Sequence, residues 1–296
     1  MRNVSILSFS FSIENGGPGL KENDILKLMK DSVNGTEDVV LLPETCLGDK
    51  INEAGDAFLS GVSELAAINQ SYILVSVNKK VTDATHTNSA ILFDRVGGIA
   101  FCYDKMYPYW SEFDRTDSAI TPGDRTVCAD TDFGRVSAAI CFDANFPELW
   151  QDIADLDADL VLFTSAYSAG SQLSAHALNH HYAIVTATRK PDFAVYDIDG
   201  KERTYTRGDR DQILISRARI DLDKVICHHN FNSEKVFQMI REHPDEIELE
   251  HDYDREEWYV IRSTSPGVNA RELCREYGIE NLRDYQRRSR RRVRFE

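Results

Sequence analysis

The chain has 296 residues, with 34 basic against 49 acidic side chains for a net charge of −15, and 42% hydrophobic residues. That length allows one or two domains and buries about three quarters of the unfolded surface, and the composition excludes collagen, low complexity and wholesale disorder. No window approaches the ~18 consecutive apolar residues of a membrane-spanning helix.

The first segment, Val4 to Phe11, follows an alternating apolar and polar start. It lacks the unbroken apolar core of a signal peptide, so it reads as a β-strand of a cytoplasmic protein. Gly16-Gly17-Pro18-Gly19 lacks the Lys-Ser/Thr of a phosphate loop and reads as a strand-to-helix turn. Lys21 to Val33 carries Ile25, Leu28, Met29 and Val33 at helical spacing and stops at Asn34-Gly35. Asp38 to Pro43 is a short apolar run suited to a strand buried on both faces. A helix over 56–69 and a strand over Tyr72–Val77 follow. Asn88–Phe93 and Ile99–Tyr103 flank Gly97-Gly98 as a hairpin.

Val136–Ile140 reads as a strand, Pro147–Leu156 as a helix opened by proline, and Asp159–Thr164 as a buried strand. Leu173 to Ile184 reads as one helix, Phe193–Tyr196 and Lys201–Tyr205 as a hairpin across Asp199-Gly200, and Leu214–Ile220 as a closing strand. From 231 the chain turns polar, with a helix near 268–277. Alternating strands and helices predict an α/β fold. The economical division is one domain over 1–230 and a partly helical C-terminal extension over 231–296.

The extension ends in an Arg-rich tail: residues 283–296 hold seven Arg against Asp284 and Glu296, leaving −20 on residues 1–282. An acidic body argues against nucleic acid as a partner, and no membrane partner is expected. Six cysteines (46, 102, 128, 141, 227 and 274) form no C-x-x-C pair and are expected to be reduced thiols. His176 and His180 lie four apart on a predicted helix, but zinc needs a third ligand, so no metal is expected.

Three strand ends carry chemistry-bearing side chains, where open α/β sheets place their sites. Leu41-Leu42-Pro43-Glu44 puts a carboxylate after an apolar strand. Phe101-Cys102-Tyr103-Asp104-Lys105 puts an ammonium at a strand exit. Ala138-Ala139-Ile140-Cys141-Phe142-Asp143 puts a thiol at a strand-to-helix turn, near backbone N–H groups that favour a thiolate and hold an oxyanion. Together they suffice for acyl transfer: a sulfur nucleophile, a proton carrier and a cation for developing charge. Tyr107, Tyr109 and Trp110 form an aromatic cluster beside Lys105, suited to a pocket wall or to core packing.

These segments resemble the nitrilase or carbon–nitrogen hydrolase superfamily over roughly residues 3–225. The resemblance rests on the Glu44 segment, on Tyr103-Asp104-Lys105 after Gly97-Gly98, on Pro122-Gly123-Asp124 leading to Phe133-Gly134-Arg135-Val136, and most of all on Ile140-Cys141-Phe142-Asp143-Ala144-Asn145-Phe146-Pro147-Glu148-Leu149. Spacings of 61 residues from Glu44 to Lys105 and 36 from Lys105 to Cys141 fit the same pattern. The resemblance implies an α-β-β-α sandwich, Glu44 as general base, Lys105 as oxyanion holder with the Phe142 N–H, Cys141 as the thioester-forming nucleophile and Glu112 as a supporting carboxylate. It implies no cofactor, and a homodimer or larger even-numbered oligomer built on the helices 147–156 and 173–184 through Ala175, Ala177, Leu178 and Ala183.

Candidate substrate-contacting residues are Trp110, Phe142, Asp143 and Tyr167, the last from the loop 165–172. The implied activity is hydrolysis of a small linear amide or N-carbamoyl compound. Nitrile attack, acyl transfer to an amine, and a catalytically silent binding protein are the alternatives. Asn145 stands where the family often has Arg, and the helix Ala177-Leu178-Asn179-His180-His181-Tyr182 lacks the usual Arg and Glu. With Asp143, Glu112 and the acidic body, this predicts a neutral or cationic acyl portion.

Overall fold

A computed structural model describes residues 2–14, 17–53, 55–113 and 119–294. The expected turn at 16–19, the loop 106–121 and the end of the Arg-rich tail fall partly outside them. The chain divides into two compact units, residues 4–220 and residues 1–3 with 221–296.

The larger unit holds two sheets. One runs in the order Ile213–Asp221, Asn3–Phe11, Val39–Leu41, Tyr72–Lys80, Thr85–Phe93, Ile99–Asp104. The other runs Glu202–Arg207, Asp192–Tyr196, Ala183–Thr188, Leu160–Ser165, Gly134–Ile140, Cys128–Thr131. Val39–Leu41 pairs parallel with both its neighbours, as does Leu160–Ser165, whereas Tyr72–Lys80 with Thr85–Phe93 and Ala183–Thr188 with Asp192–Tyr196 are antiparallel. The parallel strands are therefore the ones whose carboxyl ends gather at one edge.

Hydroxyls join the sheets. Ser8 Oγ donates to the Thr186 carbonyl at 2.8 Å, Ser10 Oγ to that of Asp192 at 2.7 Å, and Thr164 Oγ1 to that of Leu42 at 2.9 Å. All of these side chains are buried. Large apolar side chains point outward instead, under helices. Ile25 and Met29 of Glu22–Ser32 and Phe58, Val62 and Leu65 of Ala57–Asn69 cover the first sheet through Leu7, Phe9, Ile73 and Val75. Trp150 of Pro147–Asp155 covers the second, 6.2 Å between ring centroids from Phe163, and Gly170–His180 lies beside it. This is the expected α-β-β-α sandwich.

One helix ends early. The periodicity predicts a helix through Ile184, but it stops at His180, where His181 turns left-handed at φ +56°. Ala183–Thr188 is instead a fully buried parallel strand, registered with Leu160–Ser165. A run of Ala, Ile, Val and Thr has no polar face to mark the switch.

The smaller unit contains the antiparallel strands Val225–His228, Trp258–Ser263 and Ile247–Tyr253, in that order, with the helices Ser233–Glu242, Ala270–Glu276 and Leu282–Arg294. Its own core includes Cys227, Val236, Met239, Tyr259, Ile261 and Leu273. The unit begins ten residues before the boundary expected at 230/231, because Val225–His228 pairs with Trp258–Ser263. The polar tone of this segment conceals strands whose charges pair across the sheet: Lys224 Nζ meets Glu250 at 2.9 Å and Arg262 Nε meets Glu248 at 2.5 Å.

Thr164 tests the inter-sheet link. Thr164→Val keeps the volume, strips the hydroxyl and leaves the Leu42 carbonyl buried without its donor. A loss of roughly 1–3 kcal/mol is expected in urea unfolding. An unchanged midpoint would show that the link does not hold the sheets.

Candidate active site

Each of the three strand ends is pinned by backbone contacts. After Val39–Leu41 the chain turns through Glu44. Thr45 N–H donates to Ser76 Oγ at 3.0 Å, Cys46 N–H to the Ser76 carbonyl at 2.8 Å, and Arg189 Nε to the Glu44 carbonyl at 2.7 Å. Lys105 follows Ile99–Asp104, with its N–H on the Asn88 carbonyl at 2.8 Å and its carbonyl accepting from Gly123 N–H at 2.9 Å. A Cβ on Gly123 would lie 2.0 Å from the Asp104 carbonyl oxygen. That glycine of the Pro-Gly-Asp segment is thus demanded by the close approach to the lysine's backbone.

Cys141 ends Gly134–Ile140 and opens a 3-10 turn over Cys141–Asn145, with φ +51°. A non-glycine residue in that region persists only where its surroundings over-determine it. Here they do. The Asp143 carboxylate accepts from Ile140 N–H at 2.8 Å, Tyr103 OH at 2.7 Å and Tyr107 N–H at 3.0 Å. Trp150 Nε1 donates to the Asp143 carbonyl at 3.0 Å. His176 Nε2, hence the protonated ring nitrogen, meets the Ala144 carbonyl at 2.9 Å, and its ring stacks on Trp150 at 4.3 Å.

The side chains converge in the cavity that these ends share. Lys105 Nζ lies 2.9 Å from Glu44 Oε1 and 2.7 Å from Glu112 Oε2, and is 1% exposed. Asn88 Nδ2 donates to Glu44 at 2.7 Å and to Glu112 at 3.1 Å. Glu112, on the short helix Trp110–Phe113, also accepts from Tyr109 N–H at 2.5 Å. The Cys141 thiol hydrogen-bonds Glu44, and its sulfur also has the Ala166 N–H and the Ser165 hydroxyl as partners.

Burial alone would raise the Glu44 pKa. The Lys105 ammonium, then the Arg189 guanidinium, and hydrogen bonds from Lys105 and Cys141 override it and hold the carboxyl down at about 2. Burial also dominates for Cys141; with the Glu44 charge it outweighs Lys105 and pushes the thiol up to about 12. The resting pair is therefore a thiol beside a carboxylate. This corrects the expectation of a resting thiolate: the turn's N–H groups do not offset the neighbouring anion. Lys105 is raised, its two carboxylates and Cys141 overcoming burial.

The cavity, of about 630 Å³, is lined by Glu44, Lys105, Glu112, Cys141, Phe142 and Tyr167 among others. Two of the expected substrate contacts lie elsewhere. Asp143 is fully buried, its carboxylate engaged by three donors behind the turn. Trp110 is 64% exposed, tilted against Tyr109, and it is Tyr109 that lines the cavity. Tyr107 stacks on Phe146 at 3.7 Å. Asn88, Arg189 and Tyr103 were not anticipated. Asn88 carried a signal, a side-chain amide opening the run Ser89-Ala90-Ile91-Leu92-Phe93. Among the described residues no three His, Cys, Asp or Glu side chains gather as a metal site would need.

A family model described as carbon-nitrogen hydrolase matches residues 23–196, more than half of the chain. A hydrolase of Schizosaccharomyces pombe is 24% identical over 160 residues, 48% of this chain and 49% of that protein. A deaminated glutathione amidase of Yersinia enterocolitica is 28% identical over 88 residues, 28% of this chain and 31% of that protein. The chain thus spans at most about half the length of these curated relatives. An amidase of the nitrilase superfamily from Nesterenkonia superposes with a TM-score of 0.61 at 17% identity, over 74% of this chain and 90% of that one. A hydrolase-superfamily protein from Xanthomonas campestris, solved with an arsenic adduct in its active site, gives 0.64 at 19% identity over 82% and 96%. At these identities the two structures speak for the fold.

The neutral thiol has a measurable consequence. With the Cys141 pKa near 12, alkylation by iodoacetamide should rise about tenfold per pH unit from about pH 7 to about pH 9, without the levelling of a free thiol near 8.5. Glu44→Gln removes the adjacent anion, lowers the thiol pKa and should speed labelling at fixed pH. Peptide mass spectrometry of Cys141 follows both; a plateau below pH 8 in the wild type contradicts the electrostatics described.

Proposed function

The chain belongs to the carbon-nitrogen hydrolase family, and on that premise we propose that it is a cysteine-dependent amidohydrolase cleaving a non-peptide C–N bond of a small linear amide or N-carbamoyl compound. The observation that carries this reading is the contact set around one proton. The Cys141 thiol is hydrogen-bonded to the Glu44 carboxylate, and Oε1 of that carboxylate faces Lys105 at 2.9 Å.

Chemistry follows from that set. As Cys141 Sγ attacks the carbonyl carbon, its proton passes to Glu44 and the carbonyl oxygen takes up charge beside Lys105 and the Phe142 N–H. The ammonium holds Glu44 acidic at rest. When it turns to the new oxyanion, Glu44 becomes more basic at the moment it must accept a proton. Collapse breaks the C–N bond, Glu44 returns the proton to the leaving amine, and a thioester remains. Water activated by Glu44 then attacks the thioester carbon, releasing the acid and restoring the thiol. Glu112 and Asn88 keep Lys105 and Glu44 in register throughout.

Cys141→Ala should lower turnover by at least ~10³-fold with the fold intact; turnover at the wild-type rate would sink the mechanism. Glu44→Gln slows deacylation as well, so a thioester adduct on Cys141 should persist in intact-protein mass spectrometry.

Self-association belongs to the same proposal, as a homodimer or larger even-numbered oligomer through the outer helices Pro147–Asp155 and Gly170–His180. Ala177 and Ala183 are buried within the unit, so Ala175 and Leu178 would supply the contact. Light scattering should give at least twice the 33.6 kDa chain mass; a single-chain mass at micromolar concentration would end this part.

A further inference from the structure

Arg189 has no part in the steps above, yet it stands on the wall of the same cavity, following the strand Ala183–Thr188. Its Nε is engaged by the Glu44 carbonyl at 2.7 Å. Among the described residues its two Nη groups have no hydrogen-bond partner. A half-buried guanidinium with free donors facing a cavity is an incomplete arrangement: its planar fork matches a carboxylate through two parallel hydrogen bonds. The other lining cation, Lys105, is already held between Glu44 and Glu112.

We infer that Arg189 binds a carboxylate on the acyl portion of the substrate, so that the site takes the monoamide of a small dicarboxylic acid. This rests on the amidohydrolase reading and reverses the neutral or cationic preference expected from the sequence. That expectation counted the acids and the missing Arg at Asn145. In the fold Asn145 is turned to Phe142, Tyr167 and Gln172, at 3.1, 3.3 and 2.7 Å, and the guanidinium arrives from another strand. Of the lining acids, Glu14 is paired with Arg210 at 2.6 Å. Asp49 also lines the cavity and is exposed to solvent. Contact with Arg189 overcomes its charge because a bidentate pair acts at hydrogen-bond range, whereas a solvated charge across the cavity is screened.

The monoamides of malonic, succinic and glutaric acid are compared with amides in which a methyl replaces the carboxylate, such as butyramide for succinamic acid. At least one acid should be preferred about tenfold or more in kcat/KM. Arg189→Gln should erase that ratio mainly through KM, and Arg189→Lys should keep part of it. A residue that only braced Glu44 would slow both partners of a pair equally, so an unchanged ratio in Arg189→Gln overturns the inference. Calorimetry of succinate and glutarate with Cys141→Ala gives a readout independent of turnover: binding lost in Cys141→Ala/Arg189→Gln supports the anion site, and no binding of either overturns it. If the dicarboxylates bind but no amide is hydrolysed, the amidohydrolase reading fails and the anion site stands. If acid and methyl partners are hydrolysed alike, the anion site fails and the hydrolase stands.

Discussion

A lysine ammonium almost sealed from water is the constraint around which this molecule is arranged. An isolated buried charge is untenable, and removing one partner of a buried pair typically costs roughly 3–5 kcal/mol. Lys105 therefore needs two carboxylates within 3 Å, and they come from places far apart in sequence, Glu44 and Glu112. Two carboxylates around one ammonium also repel each other, and Asn88 Nδ2, which donates to both, offsets part of that cost. The glycine that lets the chain at 122–124 approach the lysine's carbonyl follows from the same demand for close fit. Much of what resembles catalytic design is thus also the solution to a burial problem.

The nucleophile's turn is a second, dependent problem. Its backbone conformation is unfavourable for a residue with a Cβ, and its support comes from behind the sheet. Asp143 gathers donors from its own turn and from the segment around Lys105, so the lysine strand and the cysteine strand position each other. Burial pushes the Asp143 carboxyl up to about 7 despite those donors. Trp150 and His176 complete the support from two different helices. The outer helices thereby transmit their packing on the sheet to the position of one sulfur atom.

The legible part of this was the part written in local signals. Strand ends followed by Glu, Lys and Cys are read directly, and the hairpin at Gly97-Gly98 and the proline-opened helix at Pro147 follow from turn and cap chemistry. The boundary at His180 was hidden because the run Tyr182-Ala183-Ile184-Val185 after it is apolar throughout and carries neither period. The smaller unit's strands were hidden because their charges are neutralised by partners 14 and 26 residues away, which no short window contains. Asp143 was misassigned for the converse reason: a carboxylate beside a nucleophile is expected to face the substrate, and only the fold reveals three donors on its other side. Arg189 lies outside every motif.

The left-handed backbone at Cys141 limits what chemistry this scaffold accepts. At φ +51° the space beside Cβ is occupied by the residue's own peptide groups, and a second heavy substituent there meets them. Serine, unbranched like cysteine, enters without added strain. Threonine and valine carry that second substituent and add strain, although the fold does hold one threonine, Thr45, at φ +38°. Unbranched nucleophiles are therefore the least strained single substitutions at this turn, and a threonine there would need surroundings that hold it against its own backbone preference, as Thr45 has.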